Sequence, residues 1–267
     1  MLIIFGYVGA LLTGVTLGLI GGGGSILIVP VLVYLFSIAP DLATAYSLFV
    51  VGLASLVGAW RYYKADLIDM KTAVVFAIPA LVGVYSTRRY MIPALPEMIF
   101  ESSFVTITKD TLIMGVFAII MLAASLAMIR KKRSAEQPEQ ESQISYNYKW
   151  IFVEGLIVGA ITGFVGAGGG FLIIPALVLL AKLPIRMAIG TSLSIIAVKS
   201  LIGFLGDLGS AAAIDWPFLG YVSVTAISGI FVGTYLGKFI PGKKLEPAFG
   251  WFVLVMGTYI LFKQVVR

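Results

Sequence analysis

The chain contains no cysteine and no histidine. Their absence rules out disulfides and thiolate nucleophiles, and removes the ligand set of ordinary zinc and haem sites. Without imidazole, the usual general base and proton relay near neutral pH is missing too. No cofactor and no metal are expected. Charge is also scarce: Asp, Glu, Lys and Arg make up 12% of the 267 residues, about half the usual share. An intramembrane aspartyl enzyme would need two Asp-bearing spans, and Gly206-Asp207 has no such counterpart. What the chain has instead is apolar surface, with 60% hydrophobic residues and a mean hydropathy of +1.03. Apolar runs long enough to cross a bilayer recur throughout, which predicts a polytopic helical membrane protein. The net charge of +6 is accounted for by basic loops that set orientation, so no nucleic-acid partner is expected. The first twenty residues lack a basic n-region and read as mature protein.

Glycine is plentiful, and its placement repeats. Gly21-Gly22-Gly23-Gly24-Ser25, closed by Pro30, returns 145 positions later as Gly166-Ala167-Gly168-Gly169-Gly170, closed by Pro175. Residues 14–35 laid on 159–180 share 11 of 22 positions without a gap. The register continues through Ser47-Leu48/Ser192-Leu193, Ser55-Leu56/Ser200-Leu201 and Gly58/Gly203. One inserted residue later it catches Ile68-Asp69/Ile214-Asp215. The chain is an internal duplication. Its expected organisation is a first transmembrane repeat (1–130), a polar Gln-, Glu- and Ser-rich cytoplasmic linker (131–149) and a second repeat (150–267). The fold expected is an all-α polytopic membrane protein with about ten hydrophobic segments. Besides the two glycine-broken stretches, spans are expected at 42–60, 71–88, 111–130, 188–206, 216–238 and 247–263.

Each glycine-broken stretch either crosses once or turns back as a hairpin, and loop charge arbitrates between the two. If both turn back, the halves are inverted, with 13 Lys and Arg inside and 5 outside, the latter including Arg88, Arg89 and Lys109. If both cross, the split is 10 against 8. The larger bias favours an inverted repeat with two glycine-broken hairpins, a recurring plan of secondary transporters.

Non-helical backbone at membrane depth survives where it is packed in protein or lines a wet cavity. The breaks leave the first amides of the following arms exposed, and glycine lets a ligand approach them. Gly22, Gly23, Gly24 and Ser25, with Gly168, Gly169 and Gly170, are therefore candidate ligands for an anion. Glycines at four-residue spacing (Gly14/Gly18, Gly155/Gly159/Gly163, Gly229/Gly233/Gly237) read as helix-packing positions. Ser47, Thr191 and Ser192 open the next span of each half, and either donate hydroxyls to an oxyanion or bond to local backbone. Lys199 stands mid-span, one face with Ser192, where a charge marks a transport path or a structural partner such as Asp207. Its repeat equivalent is Ala54. Glu154 and Asp207, the acidic residues nearest the apolar spans, are candidates for taking a coupling ion. Asp69 and Asp215 precede matching spans and read as helix N-caps.

Taken together, Gly-x-Gly-Gly-Gly with a following Pro, present twice, and Ala188-Ile189-Gly190-Thr191-Ser192-Leu193 resemble the sulfite exporter TauE/SafE family. The second half matches fully. The first carries Ser25 for the last glycine and Ala45-Tyr46-Ser47 for Gly-Thr-Ser. The resemblance implies a secondary transporter of a small sulfur-containing anion (sulfite, sulfoacetate or a related organosulfonate) in the prokaryotic cytoplasmic membrane. An anion channel of the same architecture and a carrier of another anion such as a carboxylate are the alternatives. The partners implied are that anion and the lipid bilayer, and the glycine faces suit a monomer or a homodimer.

Overall fold

The computed structural model describes residues 2–101, 106–130, 148–179, 181, 183–208, 214–237 and 242–265. The linker expected over 131–149 falls outside them except for its last two residues, as do Lys182 and Lys238. The described chain is a helical polytopic membrane protein. Among the described residues, six helical stretches are long and apolar enough to cross a bilayer: Ile3–Leu35, Pro40–Lys64, Met70–Ala94, Lys109–Ala127, Ile185–Asp207 and Trp216–Leu236.

Helix α1 (Leu2–Ile20) stops at the first glycine run, where Gly21 takes φ +74°. A buried 3-10 segment, Gly21–Leu27, leads through α2 (Ile28–Pro30) into a π-helical turn, Val31–Leu35. As one straight α-helix, residues 3–35 would measure about 50 Å, well beyond the roughly 30 Å hydrocarbon core. The chain instead doubles back. Gly24 lies against Thr16 and Leu17, Gly9 against Val31 and Leu35, and Tyr7 meets Phe36 edge-on at 5.2 Å between ring centroids.

Helices α3 (Pro40–Lys64) and α4 (Met70–Ser86) follow. The latter runs on through a π-turn, Thr87–Met91, into α5 (Ile92–Ala94). Pro93 and Pro96 then end the helix. Here the all-α expectation is corrected: Met98–Glu101 (β1) and Thr106–Thr108 (β2) pair antiparallel. Both are rich in aromatic and β-branched residues that suit a pleated ribbon. After α6 (Lys109–Arg130) and α7 (Tyr148–Val165) comes the second break, residues 166–169, then α8 (Gly170–Leu179). The remaining helices are α9 (Ile185–Asp207), α10 (Trp216–Leu236) and α11 (Gly242–Val265).

The repeats interlock; neither stands apart. α1 packs on α10, with Gly14 against Ala226 and Gly229, and Gly18 against Ile230 and Gly233. Its equivalent α7 packs on α4, with Gly159 against Ala80 and Gly163 against Val84 and Thr87. The four-residue glycine spacing thus does what was expected, letting backbones meet where no side chain intervenes. At the centre α3 crosses its own equivalent α9. Gly52 lies against Leu201, Gly58 against Leu193 and Phe49 against Phe204, so these two helices run antiparallel. α6 and α11 pair at one flank, where Gly257 sits on Met121.

Asp69 and Asp215 cap α4 and α10 as expected, accepting from the amides of Thr72 at 2.8 Å and Phe218 at 3.0 Å. The repeat reaches further into the detail. The Asp69 amide donates to Thr191 Oγ1 at 2.9 Å, and the Asp215 amide donates to the Tyr46 hydroxyl at 2.7 Å. Tyr46 and Thr191 are equivalents, so the tyrosine that breaks the Gly-Thr-Ser pattern does the threonine's work.

Candidate functional site

The two glycine stretches meet inside the molecule. A Cβ on Gly22 would overlap the Gly170 Cα, one on Gly170 would overlap Gly22, and one on Gly168 would stand 3.3 Å from Ser25 Oγ. All residues from Gly21 to Leu27 are buried, as are 166–170. The second break is the sharper, with φ of +72°, +63° and +73° at Gly166, Gly168 and Gly169, a region L side chains rarely enter. Not every amide there faces outward: Gly169 N–H donates to Ala167 O at 2.6 Å and Gly166 N–H to Thr162 O at 2.8 Å.

Lys199 is fully buried on α9, beside this second break. Its Nζ donates to Thr162 Oγ1 at 2.6 Å and would be 3.0 Å from a Cβ on Gly169. No carboxylate pairs with it among the described residues. The structural pairing with Asp207 weighed from the sequence is not what forms. Asp207 instead pairs with Arg88, Nη1 to Oδ1 at 3.6 Å. At the positions equivalent to Lys199 and Thr162 stand Ala54 and Leu17, both buried. The two half-sites are therefore chemically unequal, an ammonium and a hydroxyl standing in one where two apolar side chains stand in the other.

The hydroxyls are largely committed. Ser47 Oγ donates across the repeats to Gly166 O at 2.6 Å, whereas its equivalent Ser192 donates back to Ile189 O at 2.8 Å. Ser25 Oγ donates to Gly22 O at 2.7 Å. Ser47 thus braces the second break, while Thr191 holds the start of α4. Two hydroxyls that the sequence reading passed over behave differently. Ser55 and Ser200, equivalents on the two central helices, are fully buried and have no hydrogen-bond partner among the described residues. A buried unpaired hydroxyl costs about 1–3 kcal/mol, which marks the α3/α9 crossing as a place where polarity is retained against stability. Glu154 lies away from this centre, half-buried on the first turns of α7.

Arg88 was expected in an outside loop, and that is corrected: it is completely buried. Its Nε and Nη2 have no hydrogen-bond partner among the described residues. The signal was present in the spacing, since Arg88 follows Ala80 and Val84 at four-residue intervals on one face of an unbroken helical stretch. Lys109, also placed outside, is buried too and pairs with Asp41 at 2.7 Å.

A buried cation beside two touching glycine breaks, on a duplicated helical membrane chain, is the setting in which the sequence comparisons fall. The family described as Sulfite exporter TauE/SafE matches residues 7–260. The chain belongs to the TauE/SafE family. Its relatives include a probable membrane transporter protein of Xylella fastidiosa (strain 9a5c), 29% identical over 95% of this chain and 92% of its own length. A probable membrane transporter protein of Methanocaldococcus jannaschii is 26% identical over 98% and 94%. The probable membrane transporter protein YunE of Bacillus subtilis is 27% identical over 87% and 86%. No solved structure matches the chain. As a TauE/SafE protein it is a membrane transporter, and the relatives' names specify no substrate.

Proposed function

We propose that this TauE/SafE protein is a secondary carrier of a small sulfur-containing anion, sulfite, sulfoacetate or a related organosulfonate, across the cytoplasmic membrane. The observation that carries the reading is Lys199: a fully buried ammonium whose hydrogen-bond partner is the neutral Thr162 hydroxyl. A charge in such a place is costly and finds its balance in an anion. The anion would rest beside Gly168, Gly169 and Gly170, near the contact with Gly22, Gly23, Gly24 and Ser25.

The two halves would be inverted, with ten hydrophobic segments and the polar linker in the cytoplasm. The antiparallel crossing of α3 and α9 supports this. Equivalent helices related by an axis along the membrane normal would run parallel, whereas an axis in the membrane plane reverses them. Alternating access would then exchange the conformations of the interlocked halves.

Flux of sulfite and sulfoacetate into vesicles holding the purified protein tests the reading, alongside thermal stability against a panel of sulfur oxyanions, carboxylates and neutral solutes. Saturable sulfur-anion flux that disappears in Lys199→Ala is expected. Ligand-dependent stabilisation by a neutral or cationic solute alone would overturn the anion assignment.

A further inference from the structure

The duplication is broken in one place on the membrane-facing flank. At the junction of α3, α9 and α10, Phe49, Phe204 and Trp216 form a ring cluster, with centroids 4.9 Å apart for the phenylalanines and 6.0 Å from each to the tryptophan. Their repeat equivalents are Ser194, Ala59 and Met70. Where three large aromatic side chains fill the junction of α3, α9 and α10, two small residues and a flexible methionine stand at the junction of α9, α3 and α4. The outcome is an open groove of about 830 Å³ lined by Ala59, Met70 and Ser194, with Leu56, Val74 and Ile78 among its walls. Its volume falls inside the roughly 300–1,000 Å³ range of small-molecule sites. It is also dry in character, since Ser194 Oγ is turned to Gly190 O at 3.1 Å.

We propose that this groove holds one acyl chain of an anionic glycerophospholipid, bound as a structural ligand. Three features select that occupant. Along α4 the groove runs from Met70 to Leu81, about 16 Å at 1.5 Å per residue. That is about half of the roughly 30 Å hydrocarbon thickness, the depth of one leaflet.

The mouth is built for a headgroup. Trp60 and Tyr63 stack there with ring centroids 6.2 Å apart, and Lys64 Nζ lies 5.1 Å over the Trp60 ring. Such amphipathic rings settle at headgroup level.

The charge at the mouth is positive. Lys64 and Lys71 are exposed on the two helices that flank it, with Arg61 and Arg186 exposed at the same end of α3 and α9. The carboxylates of the joining loop are Asp66, which is exposed, and Asp69, which is committed to capping α4. Basic side chains at this level attract anionic headgroups.

The test uses the full-length protein, purified in mild detergent and delipidated. Dioleoyl phosphatidylglycerol and dioleoyl phosphatidylcholine are titrated back, with bound lipid read by native mass spectrometry and stability by thermal unfolding. Retention of one phosphatidylglycerol is expected, with phosphatidylcholine held about tenfold more weakly. Ala59→Phe with Ser194→Phe restores the two phenylalanine rings of the equivalent junction. It should abolish lipid retention and the lipid-dependent rise in Tm, while raising Tm without lipid. Lys64→Gln with Lys71→Gln leaves the core untouched and should erase the headgroup preference while keeping the acyl chain, which decides the matter even if the filled variant fails to fold. Undiminished phosphatidylglycerol retention in the filled variant overturns the proposal. So do equal affinities for the two lipids in the unmodified protein, or a dimer that the filling dissociates, which would make a second copy the occupant.

Discussion

Arg88 and Asp207 form an ion pair at the end of the α4/α9 contact, with the guanidinium side chain wholly inaccessible and the carboxylate side chain 10% exposed. Gly206 makes room for it, since a Cβ there would press on Arg88 Cβ at 3.0 Å. The equivalent of Arg88 is Thr234, and that residue is also tied across the repeats, accepting a hydrogen bond from Arg61 of α3. Each of the contacts α4/α9 and α3/α10 thus ends in a polar tie, one ionic and buried, the other neutral on one side and exposed.

Removing one partner of the buried pair leaves the other charge uncompensated. Asp207→Asn is expected to cost about 3–5 kcal/mol, whereas Arg88→Leu with Asp207→Leu should recover much of that loss. Thermal unfolding in detergent of the single and double variants measures it. A double variant as unstable as the single one would mean that the pair is needed for more than charge balance.

Lys199 makes the opposite forecast. Because it has no carboxylate partner among the described residues, Lys199→Met should leave Tm unchanged or raised, while sulfur-anion flux falls at least about a hundredfold. Flux and Tm measured on the same preparation separate a transport residue from a structural one.

Gly22 and Gly170 touch through their Cα atoms, and Ala at either should force the two breaks apart. Gly115 and Gly220 offer internal controls, since a Cβ at either meets nothing within 4 Å and both lie inside helices. Gly22→Ala is expected to lose transport and lower Tm. Gly115→Ala and Gly220→Ala should be neutral or stabilising by up to about 1 kcal/mol. Paired Tm and flux measurements check the contrast.

The hydroxyls of Tyr46 and Thr191 perform one task at equivalent places. Tyr46→Phe and Thr191→Val each leave a capping-residue amide without its acceptor, at a cost of about 1–3 kcal/mol. Similar losses from these unlike substitutions, read from thermal unfolding, are the expected result. A loss at one position only would mean that the repeat is not equivalent there.

The sequence by itself determined the class of the molecule. Apolar runs without cysteine or histidine leave little besides a helical membrane protein, and a glycine match at a constant offset is the pattern that a duplication leaves. It also determined which helix faces pack closely, because glycine at four-residue spacing is legible without knowing the partner, as is an aspartate ahead of an apolar run. Partners themselves are a tertiary matter. Gly14 and Gly159 declare a packing face, but only the interlocking of the halves sends α1 to α10 and α7 to α4. Arg88 read as a loop charge because one-dimensional hydropathy places charges at span ends; a buried counter-charge on α9 allows it inside. Lys199 was visible as a mid-span lysine, but its partner Thr162 lies 37 residues away on another helix. The groove beside Ala59 was hidden for the same reason. Its volume belongs to no single residue, and appears only where three helices bring Ala59, Met70 and Ser194 to the place that rings fill at the equivalent junction of α3, α9 and α10.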